Sequence, residues 1–258
     1  MGTLPTIDLA GVAVSRLIVG GNPFSGGSHQ TAELSREMRD YYTVARIKAT
    51  LRECEAEGVN TFLGRADNHI QRMLIEYWAE GGTLQWIAQT CPERASACDN
   101  LRQAAATGAR LGYLHGGHAD RLVEAGGFDA IREVLDFGRE LGLIMGVAGH
   151  APLTHEAVAE RELGAQFHCC SFYHLGGTRG ETYLPEDRDR MMRTIRQLPT
   201  PVIGYKIMAA GRNDPEEAFA YAFAHLRPTD AVCVGVFPKH RPHESRQNAE
   251  LTRRHTEG

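Results

Sequence analysis

The sequence predicts an α/β protein folded as a closed (β/α)8 barrel in a single domain over residues 1–258. Three observations lead to this prediction. Short apolar runs with strand character alternate with longer segments of helical periodicity, and eight such pairs follow one another. This alternation favours parallel strands joined by right-handed crossovers. A length of 258 residues is typical of eight such units.

The main alternative is an open, doubly wound sheet. That architecture usually carries a G-x-G-x-x-G turn after its first strand. Here the corresponding turn reads GGNPFSGG, which lacks that spacing. The closed barrel is therefore the favoured fold.

The first predicted strand is followed by a glycine-rich loop, NPFSGGSHQ, which can cover the barrel mouth. Apolar side chains at helical spacing predict the first helix, and Gly58 ends it. Strands are expected over 16–20, 59–63, 84–89 and 110–115, with helices over 42–57, 68–80, 94–106 and 127–141.

The last four units show clearer helix starts. Thr154 is an expected N-cap, and Asp214 precedes a proline at the first helical position. Strands are expected over 143–147, 166–173, 201–207 and 231–237, with helices over 154–163, 185–197, 214–225 and 242–253.

Composition narrows the function classes. The formal net charge of −4 gives no sign of a nucleic-acid-binding protein, and no apolar run is long enough to span a membrane. The N-terminal segment lacks the basic start of a signal peptide. The six cysteines are scattered without a C-x-x-C pair, which favours reduced thiols over a disulfide framework. We therefore expect a cytoplasmic protein whose partner is a small-molecule substrate. Its oligomeric state stays open, with a homo-oligomer among the alternatives.

Polar residues follow nearly every predicted strand. In (β/α)8 barrels the carboxyl ends of the strands form one mouth, where the chemistry takes place. A mouth with so many polar groups favours a binding site over a bare scaffold. The candidate substrate-binding residues are Asn22, Arg65, Gln89, Cys170, Tyr173 and Tyr205.

Three residues at strand ends are candidates for catalysis. Lys206 stands in an apolar strand, where burial lowers the pKa of a lysine and lets it act as a base or form a Schiff base. His115 and His150 end two other strands, where an imidazole can transfer protons or bind a metal. For each of them a purely structural role is the alternative.

The loops after the last two strands suggest a phosphate or cofactor site. Barrels often bind phosphate there with backbone N–H groups. The candidates are Gly211, Arg212, Lys239 and Arg241, and a solvated basic rim is the alternative.

A metal site would need three or four convergent ligands. His115 and His150 with His168 or Cys170 could supply them, but no H-E-x-x-H motif is present. Which side of the strand predicted over 166–173 faces the lumen stays open. By alternation, either His168 and Cys170 or Cys169 and Ser171 face it.

Several segments together resemble the aldo/keto reductase superfamily. These are GVNTF, LGYLHGGHAD, LIMGVAGH, IGYKIMAAG and the final AVCVGVF with ESRQNAEL. The chain is also similar to a bacterial branch of such barrels that carries NPFSG, WIAQT and GYKI-x-AAGR segments. The resemblance implies a (β/α)8 barrel, places the family's active-site histidine at His115, and puts Tyr205 near where the family stacks a nicotinamide ring.

The same alignment lacks most of the reductase catalytic tetrad. Leu63 and Asn68 stand where the family has its aspartate and its tyrosine acid, and Gln89 and Thr90 replace its lysine. Hydride transfer to a carbonyl needs a proton donor for the developing alkoxide. The usual reductase mechanism therefore does not follow from the resemblance.

Four hypotheses remain. The first is an isomerase, epimerase or lyase that acts next to a carbonyl of a sugar, keto-sugar or hydroxy acid, with Lys206 and His115 as base and acid. The second is an NAD(P)H-dependent oxidoreductase with Tyr173 or Lys206 as a displaced proton donor. The third is an enzyme dependent on a divalent metal, and the fourth is a barrel that binds without catalysis.

Overall fold

A computed structural model describes residues 3–94 and 96–256 of the chain. Its main sheet is a closed parallel barrel, so the predicted fold class is confirmed. The predicted domain also spans Met1, Gly2, Ala95, Glu257 and Gly258, which lie outside the described residues. Around the barrel the strands are β3 (Leu17–Gly20), β4 (Thr61–Arg65), β5 (Gln85–Gln89), β6 (Leu111–Leu114), β7 (Ile144–Gly149), β8 (Phe167–Ser171), β9 (Val202–Tyr205) and β10 (Ala231–Gly235).

The barrel closes where the last strand pairs with the first. Val232 lies opposite Leu17, and Gly235 lies opposite Gly20. The other neighbours follow chain order, as expected for eight successive crossovers. All the strand ends therefore point to one mouth.

Two more helices surround the barrel than the sequence patterns predicted. One covers the segment after the glycine-rich loop, and the other follows His115 directly. The helices are α1 (Ala32–Tyr41), α2 (Val44–Ala56), α3 (Asn68–Ala79), α4 (Ala97–Thr107), α5 (Gly116–Glu124), α6 (Phe128–Glu140), α7 (Pro152–Glu160), α8 (Asp187–Ile195), α9 (Pro215–His225) and α10 (Glu244–Thr256). No helix in the described ranges combines the length and apolar character needed to cross a bilayer.

Side-chain caps explain where several helices begin. At the N-cap a side-chain oxygen accepts a hydrogen bond from a backbone N–H that has no partner within the helix. The predicted cap Asp214 accepts from Glu217 N–H in this way. Thr154, in contrast, lies inside α7, which begins at Pro152. The other side-chain caps are Thr31, Thr43, Asp67 and Ser96.

A hairpin of two short strands, β1 (Thr6–Leu9) and β2 (Val12–Ser15), precedes the barrel and was not predicted. Its apolar side chains Ile7, Leu9, Val12 and Val14 pack with residues of the barrel interior rather than with the helices. The hairpin extends the interior core and leaves the mouth open to ligands.

The two faces of β8 answer the question that the sequence left open. Cys169 belongs to the interior cluster, whereas Cys170 packs in the layer between strands and helices. His168 also faces that outer layer, where its Nδ1 lies 3.0 Å from Nδ1 of His155. Because strand side chains alternate, Ser171 shares the inner face with Cys169.

The hairpin should contribute strongly to stability. Leu9 is fully buried, so Leu9→Ala leaves a cavity and is expected to lower the free energy of unfolding by about 2–5 kcal/mol. Thr6→Ala, at an exposed position of the same hairpin, should change it by less than about 0.5 kcal/mol. Urea denaturation measures both values. Equal stability of the two variants would show that the hairpin is not part of the core.

Candidate active site

A cavity of about 730 Å³ opens at the carboxyl end of the barrel. It is deep enough for a small molecule and is lined by both polar and apolar side chains. The structure brings nine of the predicted residues to it: Asn22, Arg65, Gln89, His115, His150, Tyr205, Lys206, Gly211 and Arg241.

A buried carboxylate holds His150 in place. Asp120 Oδ2 lies 2.8 Å from His150 Nδ1, and both carboxylate oxygens accept from the His150 backbone N–H at 3.1 Å. The Thr154 hydroxyl donates to Asp120 Oδ1 at 2.7 Å. Asp120 is fully buried, so these contacts fix both the carboxylate and the imidazole.

The charges of this pair follow from its surroundings. Burial opposes ionisation of Asp120, but hydrogen bonds from His150 and Thr154 outweigh it and lower the pKa of the carboxyl group. Burial lowers the pKa of His150 to about 4, although Asp120 acts in the opposite direction. At neutral pH the pair is therefore a carboxylate and a neutral imidazole. The proton on Nδ1 faces the carboxylate, which leaves Nε2 as a proton acceptor.

Asp120 was not among the residues predicted from the sequence, because it lies within α5 rather than at a strand end. Its signal was helical spacing, because Asp120 shares the buried face of α5 with Gly116 and Val123. An acidic residue on the buried face of a helix needs a partner, and here the partner is His150.

The backbone at Lys206 breaks the strand alternation. Tyr205 faces the barrel interior, so the next residue of a regular strand would face the helices. Instead β9 ends at Tyr205, and Lys206 has a left-handed φ of 58°. Both residues consequently line the cavity. A left-handed backbone costs an L-residue about 1–2 kcal/mol, and such strain is typical of functional sites.

Lys206 is enclosed at the cavity wall. Its ammonium donates to the backbone carbonyl of Leu175 and lies 5.7 Å from the centre of the Tyr205 ring. Burial lowers the pKa of Lys206 to about 8. The Tyr205 ring also lies 5.8 Å from the His150 ring, which joins the amine and the imidazole in one cluster.

His115 and Arg65 both line the cavity, but they differ in their side-chain partners. Burial lowers the pKa of His115 to about 4, and its Nδ1 is buried without a hydrogen-bond partner among the described residues. Arg65 forms ion pairs with Asp67 at 3.2 Å and with Glu93. Arg65 is therefore held by salt bridges, whereas Nδ1 of His115 can form a hydrogen bond with a ligand.

Four predicted site residues lie away from the cavity. Cys170 faces the helix layer, because Cys169 occupies the inner face of β8. The Tyr173 hydroxyl accepts from the Asn213 amide at 2.6 Å, outside the mouth. Arg212 donates to the carbonyls of Ala209 and His29, and Lys239 pairs with Glu37 at 2.7 Å. Their placement does not support the predicted contacts to substrate or cofactor.

The glycine-rich loop lies over the mouth, as expected. Both ring nitrogens of His29 in this loop form hydrogen bonds. Its Nδ1 lies 2.9 Å from the Glu181 carboxylate, and its Nε2 lies 3.2 Å from the side-chain amide of Asn22. Glu181 belongs to the loop after β8, so two loops meet above the cavity. The floor is made by Tyr113, Cys169 and Cys233. Cys169 was one of the two alternatives for the inner face of its strand, whereas Tyr113 and Cys233 were not predicted.

The predicted phosphate site is only partly assembled. Gly211 and Arg241 line the cavity, whereas the guanidinium of Arg212 and the ammonium of Lys239 already have partners. The carboxylate of Glu244 lines this end of the cavity and accepts from the Phe237 N–H at 2.6 Å. That contact occupies one backbone donor at this end of the cavity and places a carboxylate there, which does not favour a phosphate. We therefore derive no step through a nicotinamide cofactor.

The donor set for a metal is also incomplete. His115 and His150 line the same cavity. Across residues 3–94 and 96–256, no group of three or more His, Cys, Asp or Glu side chains is arranged to hold a metal ion. His168 and Cys170, the predicted further ligands, face the helix layer.

Comparison with known proteins supports the fold. No family model matches the chain, and no curated protein does. A solved Pseudomonas aeruginosa structure named "Putative aldo-keto reductase" aligns with a TM-score of 0.66 at 14% identity, over 96% of this chain and 94% of its own. The chain folds as that barrel does.

Other solved barrels align with lower scores. The 3-keto-L-gulonate-6-phosphate decarboxylase of Vibrio cholerae aligns with a TM-score of 0.55 at 14% identity, over 83% of this chain and 92% of its own. QR15, named an aldolase, aligns at 0.52 and 12% identity, over 74% and 84%. At such identities the likeness shows the architecture alone.

The strain at Lys206 gives a prediction about stability. Glycine adopts a left-handed backbone freely, whereas alanine does not. Lys206→Gly should therefore unfold with a free energy about 1 kcal/mol higher than Lys206→Ala, the reverse of the usual order in strands. Urea denaturation of the two variants measures the difference. An alanine variant as stable as the glycine variant would show that no strain is stored there.

The buried histidines give a prediction about acid stability. Burial lowers the pKa of His155 to about 4 and that of His168 well below its usual value. The unfolded chain binds protons to both near pH 6.5, so the free energy of unfolding is highest above that pH. It should fall as the pH decreases from about 6.5 towards 4, by up to about 1.4 kcal/mol per pH unit for each histidine.

Chemical denaturation between pH 4 and 8 tests this dependence. His155→Gln should reduce the slope, whereas His69→Gln, at an exposed position, should leave it unchanged. A slope that is the same in both variants would contradict neutral burial of the pair.

Proposed function

We propose that this protein is an enzyme that moves a proton on a carbon atom next to the carbonyl group of a small oxygenated molecule. Isomerisation, epimerisation and elimination all begin in this way. The observation that carries the proposal is the Asp120–His150 pair, which presents a neutral, oriented imidazole to the same cavity as Lys206.

In this mechanism His150 is the base. Its Nε2 takes the proton from the carbon, and the Asp120 carboxylate at 2.8 Å stabilises the imidazolium that forms. The imidazolium then returns the proton to a neighbouring carbon or to the other face of the same carbon. Asp120 does not touch the substrate in this scheme and is a positioning residue.

Lys206 supplies positive charge at the carbonyl. With a pKa of about 8, its amine is mostly protonated at pH 7. A cation in an enclosed site stabilises the negative charge that develops on the carbonyl oxygen when the neighbouring proton leaves. This reverses the roles expected from the sequence, in which Lys206 was the base.

In this mechanism His115 does not act as the acid that was expected from the sequence. Its lowered pKa keeps it neutral, so it has no ready proton to give at pH 7. A neutral imidazole still donates or accepts a hydrogen bond to a substrate hydroxyl. Asn22 and Gln89 line the same cavity and supply further amide contacts of this kind.

Proton exchange measures the proposed reaction directly. In D2O the enzyme should replace carbon-bound hydrogen next to the carbonyl in at least one of a panel of small hydroxyketones, hydroxyaldehydes and 2-oxo acids. Asp120→Asn should lower that exchange rate about 100-fold or more, because the imidazolium loses its partner. Proton NMR follows the loss of the signal.

The pH profile separates positioning from general damage to the fold. Asp120 raises the pKa of His150, so Asp120→Asn should move the acidic limb of the rate profile to lower pH. Thr154→Val removes a hydrogen bond to Asp120 but keeps the carboxylate, and it should have a much smaller effect. A wild-type protein that binds panel compounds without exchanging their protons would indicate a binding barrel instead.

A further inference from the structure

We infer that Lys206 forms a covalent imine with the carbonyl carbon of the substrate. The inference rests on the proposed function and specifies how the same site binds its carbonyl group. Lys206 faces the cavity beside a base, and its backbone is held in a left-handed conformation there. Within the described ranges it forms no ion pair, although Glu181 and Asp120 lie near enough to act on its pKa in the opposite direction to burial.

The other lysines provide the contrast. The chain contains three lysines, Lys48, Lys206 and Lys239. Lys48 forms ion pairs with Glu76 and Glu80, and Lys239 pairs with Glu37. Both are ordinary surface cations. Lys206 instead donates to a neutral carbonyl, that of Leu175, which orients the amine without fixing its charge.

The end of β9 at Tyr205 decides where the Lys206 side chain lies. Had β9 continued regularly, the Lys206 side chain would lie among apolar residues of the helix layer. The left-handed turn at Lys206 brings its side chain to the cavity next to Tyr205. A cation alone could be supplied by the flexible side chain of a residue in a loop. A nucleophile must be held at a defined position relative to the carbonyl carbon.

The covalent step balances without a further reactant. The Lys206 ammonium and a carbonyl compound give a protonated imine and one water, with the same total charge on both sides. The neutral amine adds to the carbonyl carbon, and a proton passes from nitrogen to oxygen. The resulting carbinolamine accepts one proton and releases water as the carbon–oxygen bond breaks.

The imine strengthens the proton transfer described above. Its positively charged nitrogen is bonded to the former carbonyl carbon, so it accepts the electron pair left when His150 Nε2 removes the neighbouring proton. The product is an enamine. Return of the proton from His150 and addition of water reverse the sequence and free the Lys206 amine.

Lysine reactivity fits the site. Burial lowers the pKa of Lys206 to about 8, while salt bridges to Glu80 and Glu76 raise that of Lys48 despite partial desolvation. At pH 7 the neutral fraction of Lys206 is therefore far larger. This difference supports the geometric argument and provides a way to test it.

Reductive trapping tests the inference. The full-length protein is incubated at pH 7 with dihydroxyacetone, pyruvate or 2,4-pentanedione, the first two in the presence of cyanoborohydride, and adducts are located by peptide mass mapping. We expect one dominant adduct, at Lys206, formed about tenfold or more faster than at Lys48 or Lys239. Similar labelling of all three lysines, or none at Lys206 with any probe, would overturn the inference.

Two variants separate this inference from the proposed function. Asp120→Asn should still be trapped at Lys206, because imine formation does not depend on the base. Lys206→Met should lose both the adduct and proton exchange, while its melting temperature confirms that it folds. If Lys206→Met keeps proton exchange, the proposed proton transfer by His150 stands, and both the covalent step and the role of Lys206 as the cation are wrong. If trapping succeeds but exchange is absent, the covalent site stands and the proposed function is wrong.

Discussion

Closure of the sheet between β3 and β10 brings the site residues together. Once Val232 pairs with Leu17, all eight strands run in the same direction around one axis. Their carboxyl ends then surround one cavity, and residues more than 100 positions apart in the chain become neighbours. An open sheet of the same strands would leave the first and last of them at opposite edges.

The site combines two arrangements that cost free energy. A carboxylate, Asp120, is buried beneath the mouth, and a lysine, Lys206, is held in a left-handed backbone at its wall. Each cost is offset locally. Hydrogen bonds from His150 and Thr154 satisfy the carboxylate, while the Leu175 carbonyl accepts from the amine. A protein that only needed a stable barrel would gain from apolar residues at these positions.

The resemblance to aldo/keto reductases now has a physical interpretation. The architecture is shared, and His115 lies in the cavity where the resemblance places a histidine. The groups that distinguish this chain are at other strand ends. The hydrogen-bonded pair Asp120–His150 joins α5 to the end of β7, and Lys206 follows β9. In the proposed function the reacting groups stand at strand ends other than that of His115, and the loops at strand ends are where such folds vary most easily.

The architecture and the region of the site could be predicted from local sequence patterns. Alternating strand and helix periodicities are local, so they can be read without knowing which segments meet, and they located the strand ends that bear His115, His150 and Lys206. The tertiary structure was needed to show which face of β8 looks inward, that Arg212 and Lys239 are engaged elsewhere and that Asp120 supports His150. These outcomes depend on how side chains meet in three dimensions, as between Asp120 and His150, 30 positions apart, and no local periodicity encodes them.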